Sequence, residues 1–151
     1  MQTHIKSTSS TMTEQVAEKL GHHLHGGEII ELVSDLGGGK TTFVRGLARG
    51  LGSHDRVRSP SFTLANQYQA GELTLYHFDF YRLSDPGILA NELAEIMANK
   101  KAIIVIEWAT IVAQVLNTPH LVILLKQTDE HERDIHIDYP ESCKYLFQEQ
   151  T

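Results

Sequence analysis

Gly37, Gly38 and Gly39 stand directly before Lys40 and Thr41 in the stretch SDLGGGKTTFVRGLARGLG, Ser34 to Gly52. A permissive backbone followed by a cation and a hydroxyl is the chemistry of a phosphate cradle. Glycine accepts positive φ and has no side chain to block an approaching oxygen. The lysine supplies charge to β and γ phosphates, and the threonine hydroxyl reaches Mg2+ from the first turn of a helix. The full loop pattern is Gly, four residues, then Gly-Lys-Ser/Thr, and Ser34 holds the place of the first glycine. That position, where a chain leaves its strand, touches phosphate less directly than the last glycine. A serine there lowers the expected affinity more than it removes the site. The competing reading is a glycine-rich turn without a ligand.

Such a site also needs carboxylates, one to hold Mg2+ or its waters and one to orient an attacking water. Asp79 ends the run LTLYHF, and Glu107 ends AIIVI. Each alone reads equally well as a strand-end acid capping a helix or making a surface pair; a phosphate loop in the same chain tips both toward the site. The assignment favoured is Asp79 in the metal shell and Glu107 in water activation, with the reverse division open. The proline-bearing VRSPSFTL, Val57 to Leu64, is placed to close over a γ-phosphate, with Ser61 or Thr63 reaching Mg2+; its alternative is an ordinary Ser-Pro turn. Trp108 is placed either to pack over the site or to bury its ring, and core packing is the default for an aromatic at a strand end.

The elements that must position these groups are legible as patterns. Thr11 and Glu14 stand at capping-box spacing before Val16, Leu20 and Leu24, which share a helical face ending near Gly26-Gly27. EIIELV, Glu28 to Val33, reads as a buried strand leading into the glycine loop. A helix from about Lys40 to Leu51 follows, with Phe43, Val44, Leu47, Ala48 and Leu51 inward and Gly52 as its stop. Phe62 to Tyr68 and Leu73 to Phe78 suggest an antiparallel hairpin across QAGE. Beyond SDPG, the stripe Leu89, Leu93, Ile96 and Met97 is helical. Ala102 to Ile106 is the most strand-like run. A short helix near Ile111 to Leu116, strands HLVILL and RDIHID, and a C-terminal helical stub complete the chain. This alternation predicts an α/β three-layer sandwich of P-loop NTPase type, with a mixed central sheet and helices on both faces, in a single domain over residues 1–151.

Bulk properties narrow the partners. The chain has 151 residues, 41% hydrophobic and 21% charged, as in a soluble globular protein. A net charge of -6 opposes nonspecific binding to nucleic acid, so any role at RNA is expected through a partner. The lone Cys143 forms no internal disulfide, and no segment has signal-peptide or transmembrane character, so a cytoplasmic protein without membrane attachment is expected.

Taken in order, SDLGGGKTTFVRGLARGLG, VRSPSFTLANQY, LYHFDFYRLSDP and IVIEWA resemble the bacterial TsaE (YjeE) family, over about Glu28 to Glu107 and more loosely at both ends. The resemblance implies a small P-loop ATPase of tRNA threonylcarbamoyladenosine biosynthesis that uses ATP and Mg2+. It implies a TsaD–TsaB-type complex as partner and contact with tRNA only indirectly. Carried onto this chain, nucleotide binding falls to Asp35, Leu36, Gly37, Gly38, Gly39, Lys40, Thr41 and Thr42. Catalysis falls to Lys40, Asp79 and Glu107, and metal binding to Thr41, Asp79 and Glu107. Ser59 to Thr63 resemble switch I, and Glu107-Trp108 the family's Glu-Trp motif. The chain departs from the family at Ser34, at Ser61 where threonine is common, and at Ala109 where proline is usual. Leu89 to Lys101 also lacks the glycine and aromatic residues often found there.

Rival chemistries leave marks that can be sought. A GTPase needs an Asn-Lys-x-Asp guanine reader, and NKKA at Asn99 to Ala102 lacks the final carboxylate. A small-molecule kinase would use Arg45, Arg49, Arg56, Arg58 or Arg82 as phosphate clamps. A nucleotide-gated assembly module with slow hydrolysis fits the same motifs. Of the nine histidines, His22 and His25 stand three apart on a helix but lack a completing ligand nearby, and His77 is placed to pack or to tune Asp79. Arg133, near the last strands, has no role derivable from sequence.

Overall fold

The computed structural model describes residues 1–35, 37, 39–60 and 65–148. Seven strands form one sheet: β1 (Gln2–Ser7), β2 (Ile29–Ser34), β3 (Ala65–Ala70), β4 (Leu73–Asp79), β5 (Ala102–Glu107), β6 (Leu121–Gln127) and β7 (Arg133–Asp138). Their spatial order is β1-β7-β6-β2-β5-β4-β3. The central strands β6, β2, β5 and β4 run parallel, and antiparallel pairs flank them on either side. All six residues of β5 are buried, as a strand covered on both faces requires.

Helices α1 (Ser10–His23) and α2 (Lys40–Leu51) pack on one face, over a core that includes Ile30, Leu32, Phe43, Leu47, Leu75 and Val105. Helix α3 (Gly87–Met97) and the 3-10 turn Ala109–Val112 cover the other, over Ile29, Phe78, Ile104 and Ile106. This is the expected mixed α/β sandwich.

The departures are local. The polar start is a strand: QTHIKS offers one large apolar side chain, Ile5, and becomes β1 because its backbone pairs with β7. Helix α1 is capped by Ser9 rather than Thr11; the Ser9 hydroxyl accepts from the Met12 amide at 3.0 Å. Glu14 therefore lies within the helix and pairs with Arg49 of α2. The expected helix near Ile111 to Leu116 is a shorter 3-10 turn that begins directly after Trp108, which adopts the left-handed conformation.

Helices α1 and α2 approach through glycines. A Cβ on Gly46 would lie 2.2 Å from the Glu14 carbonyl oxygen, and one on Gly50 would lie 2.1 Å from that of Glu18. Intrinsic propensity favours Gly46→Ala by about 1 kcal/mol. A backbone oxygen cannot rotate aside, however, so overpacking by about 1–3 kcal/mol wins. Gly46→Ala is expected to lower the urea midpoint, whereas an unchanged or raised midpoint would show that the helices can separate freely.

The C-terminal 3-10 segment Glu141–Phe147 is tied to the sheet through Glu28, a buried carboxylate that accepts from the amides of His25 and Gly26 and from the Tyr145 hydroxyl at 2.7 Å. Burial, then the hydrogen bond and charge of Glu28, raise the Tyr145 pKa above that of an ordinary phenol. The unfolded chain ionises this group near pH 10 while the folded chain keeps it protonated. Its contribution is thus whole below pH 10 and is lost as pH rises further. Tyr145→Phe should be less stable at pH 8 but lose less stability between pH 9 and 11, measured by denaturant titration.

Candidate functional site

Three strand ends and one helix start meet at the carboxyl edge of the sheet. Glu107 of β5 stands opposite Leu32 of β2 on one side and Asp79 of β4 on the other. The two-residue period of a strand puts Asp79 on the face of Leu75, and Glu107 on that of Ile103 and Val105. Both acids consequently face the layer that contains α2. Strand β2 runs two residues past this row to Ser34, and α2 begins at Lys40. β5 and β6 lie on opposite sides of β2, so the connection between them crosses it, the crevice where open α/β sheets place ligands.

Two glycines of the loop are described, and both have a left-handed backbone. Gly37 and Gly39 have φ of 80° and 96°. A Cβ on Gly37 would meet nothing within 4 Å, so backbone conformation rather than crowding sets the demand for glycine there. Gly39 caps α2 without a side-chain hydrogen bond, and the first turn has no acidic residue. The amide end of the helix dipole is left to a ligand. Ser34 belongs to β2, and Trp108 is the only described non-glycine residue at positive φ. Serine therefore stands in place of the first glycine without left-handed strain.

Lys40 is drawn back over the loop. Its Nζ donates to the Ser34 carbonyl at 3.4 Å, lies 3.6 Å from Glu107 Oε1, and sits 5.4 Å from the centre of the Trp108 ring. The other Glu107 oxygen lies 3.0 Å from His77 Nε2. His77 is fully buried and its Nδ1 has no hydrogen-bond partner among the described residues. A buried N–H without an acceptor is costly, so the proton belongs on Nε2, which donates to Glu107. His77 thus serves Glu107 and not Asp79, a pairing the sequence did not reveal because it crosses strands diagonally. Asp79 is partly exposed and accepts from the Tyr81 amide at 3.0 Å.

A cavity of about 280 Å³ is lined by Gly37, Gly39, Lys40, Thr41, Ser59, Asp79, Tyr81, Glu107 and Trp108. It unites the loop with both acids. Asp35 and Thr42 flank the loop without lining the cavity, and Leu36, Gly38, Ser61 and Thr63 lie outside the described residues. Of the two places expected for Trp108, the structure takes the one over the site and not the default burial: it is 43% exposed at the cavity mouth, its ring centre 5.0 Å from that of Tyr81. It also carries a left-handed backbone at the start of the 3-10 turn. Arg45, Arg49, Arg56 and Arg58 line a separate cavity of about 540 Å³, and none of them reaches the loop. The NKKA stretch forms the turn before β5, at the opposite edge of the sheet, where Asn99 accepts from the Lys101 amide. Arg82 is likewise absent from the cavity lining, so among the described residues none of the five candidate clamp arginines and no guanine reader lines this site. Arg133 Nε lies 3.8 Å from where a Cβ on Gly39 would be. His22 and His25 gain no third ligand among the described residues; His25 stacks on Tyr145.

Sheet order, loop and strand-end acids define an α/β protein of P-loop NTPase type. The family profile described as threonylcarbamoyl adenosine biosynthesis protein TsaE matches residues 7–135. The tRNA threonylcarbamoyladenosine biosynthesis protein TsaE of Bacillus subtilis is 35% identical over 124 residues, covering 82% of this chain and 77% of that one. Its counterpart in Treponema pallidum is 36% identical over 131 residues, covering 87% and 96%. The crystal structure of Bacillus subtilis YdiB superposes with a TM-score of 0.76 at 28% identity, covering 97% of this chain and 92% of that one. The chain belongs to the TsaE family of threonylcarbamoyl adenosine biosynthesis proteins. No helix among the described residues is long and apolar enough to cross a membrane.

His77→Phe removes the closest donor to the buried Glu107 carboxylate and should cost about 1–3 kcal/mol of stability. His77→Gln, which retains a donor, should recover part of that loss in denaturant unfolding. Equal losses in the two variants would mean that His77 acts by packing alone.

Proposed function

We propose that this chain is the ATP-binding and ATP-hydrolysing component of the tRNA N6-threonylcarbamoyladenosine modification machinery, acting with a TsaD–TsaB complex. The observation that carries the reading is one cavity shared by the glycine loop, Lys40, Thr41, Asp79 and Glu107, in a chain of the TsaE family. The residues fit a triphosphate: positive-φ glycines, an uncapped helix start and a lysine offer amides and positive charge to phosphate oxygens. Thr41 and Asp79 would hold Mg2+, with Glu107 near its water shell; when bound, the ion neutralises charge developing on the β and γ phosphates.

Lys40 cannot serve Glu107 and a γ-phosphate equally. On nucleotide binding it exchanges the Glu107 oxygen at 3.6 Å for phosphate. Glu107, still held by His77, is then free at Oε1 to orient the attacking water. The Arg133 guanidinium stands beside the loop, its Nε 3.8 Å from where a Cβ on Gly39 would sit, but no arginine lines the cavity among the described residues. This favours slow hydrolysis by the isolated chain and a nucleotide-gated assembly role, with a partner supplying charge to the transition state. An arginine supplied in trans accelerates related reactions by about 10³–10⁵-fold.

Lys40→Ala is expected to abolish ATP binding measured by calorimetry; unchanged affinity would refute the site. Turnover should rise when TsaD–TsaB is added, and equal rates with and without it would defeat the partner-completed mechanism. A pull-down of wild type and Glu107→Ala on TsaD–TsaB should depend on whether ATP or ADP is present. Absent or nucleotide-independent association would refute the gated role while leaving the fold intact.

A further inference from the structure

The core on the α3 side of the sheet draws on β2, β4 and β5 but contains no residue of β6, β7 or β1. On that uncovered stretch, His4 of β1 stands directly opposite His136 of β7, with ring centres 4.3 Å apart and planes within 14°. Asp134, two residues before His136 and so on the same face, places Oδ1 3.5 Å from His4 Nε2. The three side chains each offer one donor atom, all within 4.8 Å of one another. Lys6, opposite Asp134 in register, turns instead to Glu132 at 3.6 Å. Among the described residues no lysine makes an ion pair with the Asp134 carboxylate, although Lys126 of β6 also stands opposite it in register.

We propose that His4, Asp134 and His136 form a binding site for a divalent first-row transition ion, with Zn2+ the natural occupant. Two imidazoles and one carboxylate supply three ligands of a tetrahedral set, leaving the fourth position to water. Imidazole nitrogen selects Zn2+, Ni2+ or Cu2+ over Mg2+, which prefers oxygen ligands. The site is therefore chemically distinct from the phosphate-loop cavity. The opposed Cα positions of His4 and His136 are fixed by the strand pairing, so the backbone already carries most of the ordering. The rings stack face to face, and imidazole lone pairs lie in the ring plane, so one ring must turn for both to meet an ion at about 2.0–2.1 Å. His4 and Asp134 side chains are 52% and 27% exposed, which leaves room for that turn. An ion there links the edge strand β1 to β7 by a second means besides its backbone hydrogen bonds, and binding only the folded chain stabilises it.

The test is a titration of the nucleotide-free full chain with Co2+, read by visible absorption, followed by displacement with Zn2+ and with excess Mg2+. One ion displaced by Zn2+ but not by Mg2+ is expected, with a rise in melting temperature on adding Zn2+. His4→Gln and His136→Gln should each weaken binding by about tenfold or more, and His22→Gln/His25→Gln should leave it unchanged. In the wild type, side-chain resonances of His4 and His136 should shift on Zn2+ addition, a readout independent of any variant. No binding, binding unaltered by both His4→Gln and His136→Gln, or resonances of these two rings that stay fixed would each overturn the proposal.

Discussion

The arrangement depends on a buried carboxylate that must be paired. Glu107 lies at the end of a strand whose every residue is buried, between His77 and Lys40. Removing either partner from such a charge is costly, whereas the pairing itself contributes little net stability. Its value is positional. The hydrogen bond from His77 fixes one oxygen and leaves the other facing the lysine at the start of α2. The sheet register then sets Asp79 alongside without any further contact between the two acids.

Helix α2 is held for this task at its start and along its length. Its start follows directly from β2 through the glycine loop, and its middle lies against α1 at glycine-limited separation. Ion pairs from Arg49 to Glu14 and Glu18 add a second attachment on the exposed side. With the Arg49 side chain 55% exposed, these pairs contribute little energy. The close backbone contact is the more rigid constraint, because it leaves the helix no room to rotate without opening the core. Positions 40 and 41 are thereby fixed with respect to the strand ends.

Much of this was readable from residue order. β2, α2 and β5 came through because their apolar runs are dense and their boundaries are marked, with Gly52 stopping α2 as its left-handed conformation requires. The placement of Lys40, Asp79 and Glu107 on one edge followed from parallel strands that end in polar residues. β1 did not come through, since its stability resides in backbone pairing with residues more than a hundred positions away. The N-cap of α1 was misplaced by two residues for a related reason: Ser9, Thr11 and Thr13 are chemically alike, and the preceding strand decides among them. His77 was visible only as a residue near Asp79, and its partner emerged from the stagger between β4 and β5. Nor could local pattern show that Ser34 needs no left-handed backbone, or that Trp108 adopts one.

That last residue has a practical consequence. Trp108 is the sole tryptophan of the chain, so intrinsic emission excited at the indole band has a single origin. Its ring is half open to solvent and lies within 5.4 Å of the Lys40 ammonium. Any event that relocates that cation or covers the indole changes the polarity around one fluorophore, and the unlabelled protein carries its own optical probe at the cavity mouth.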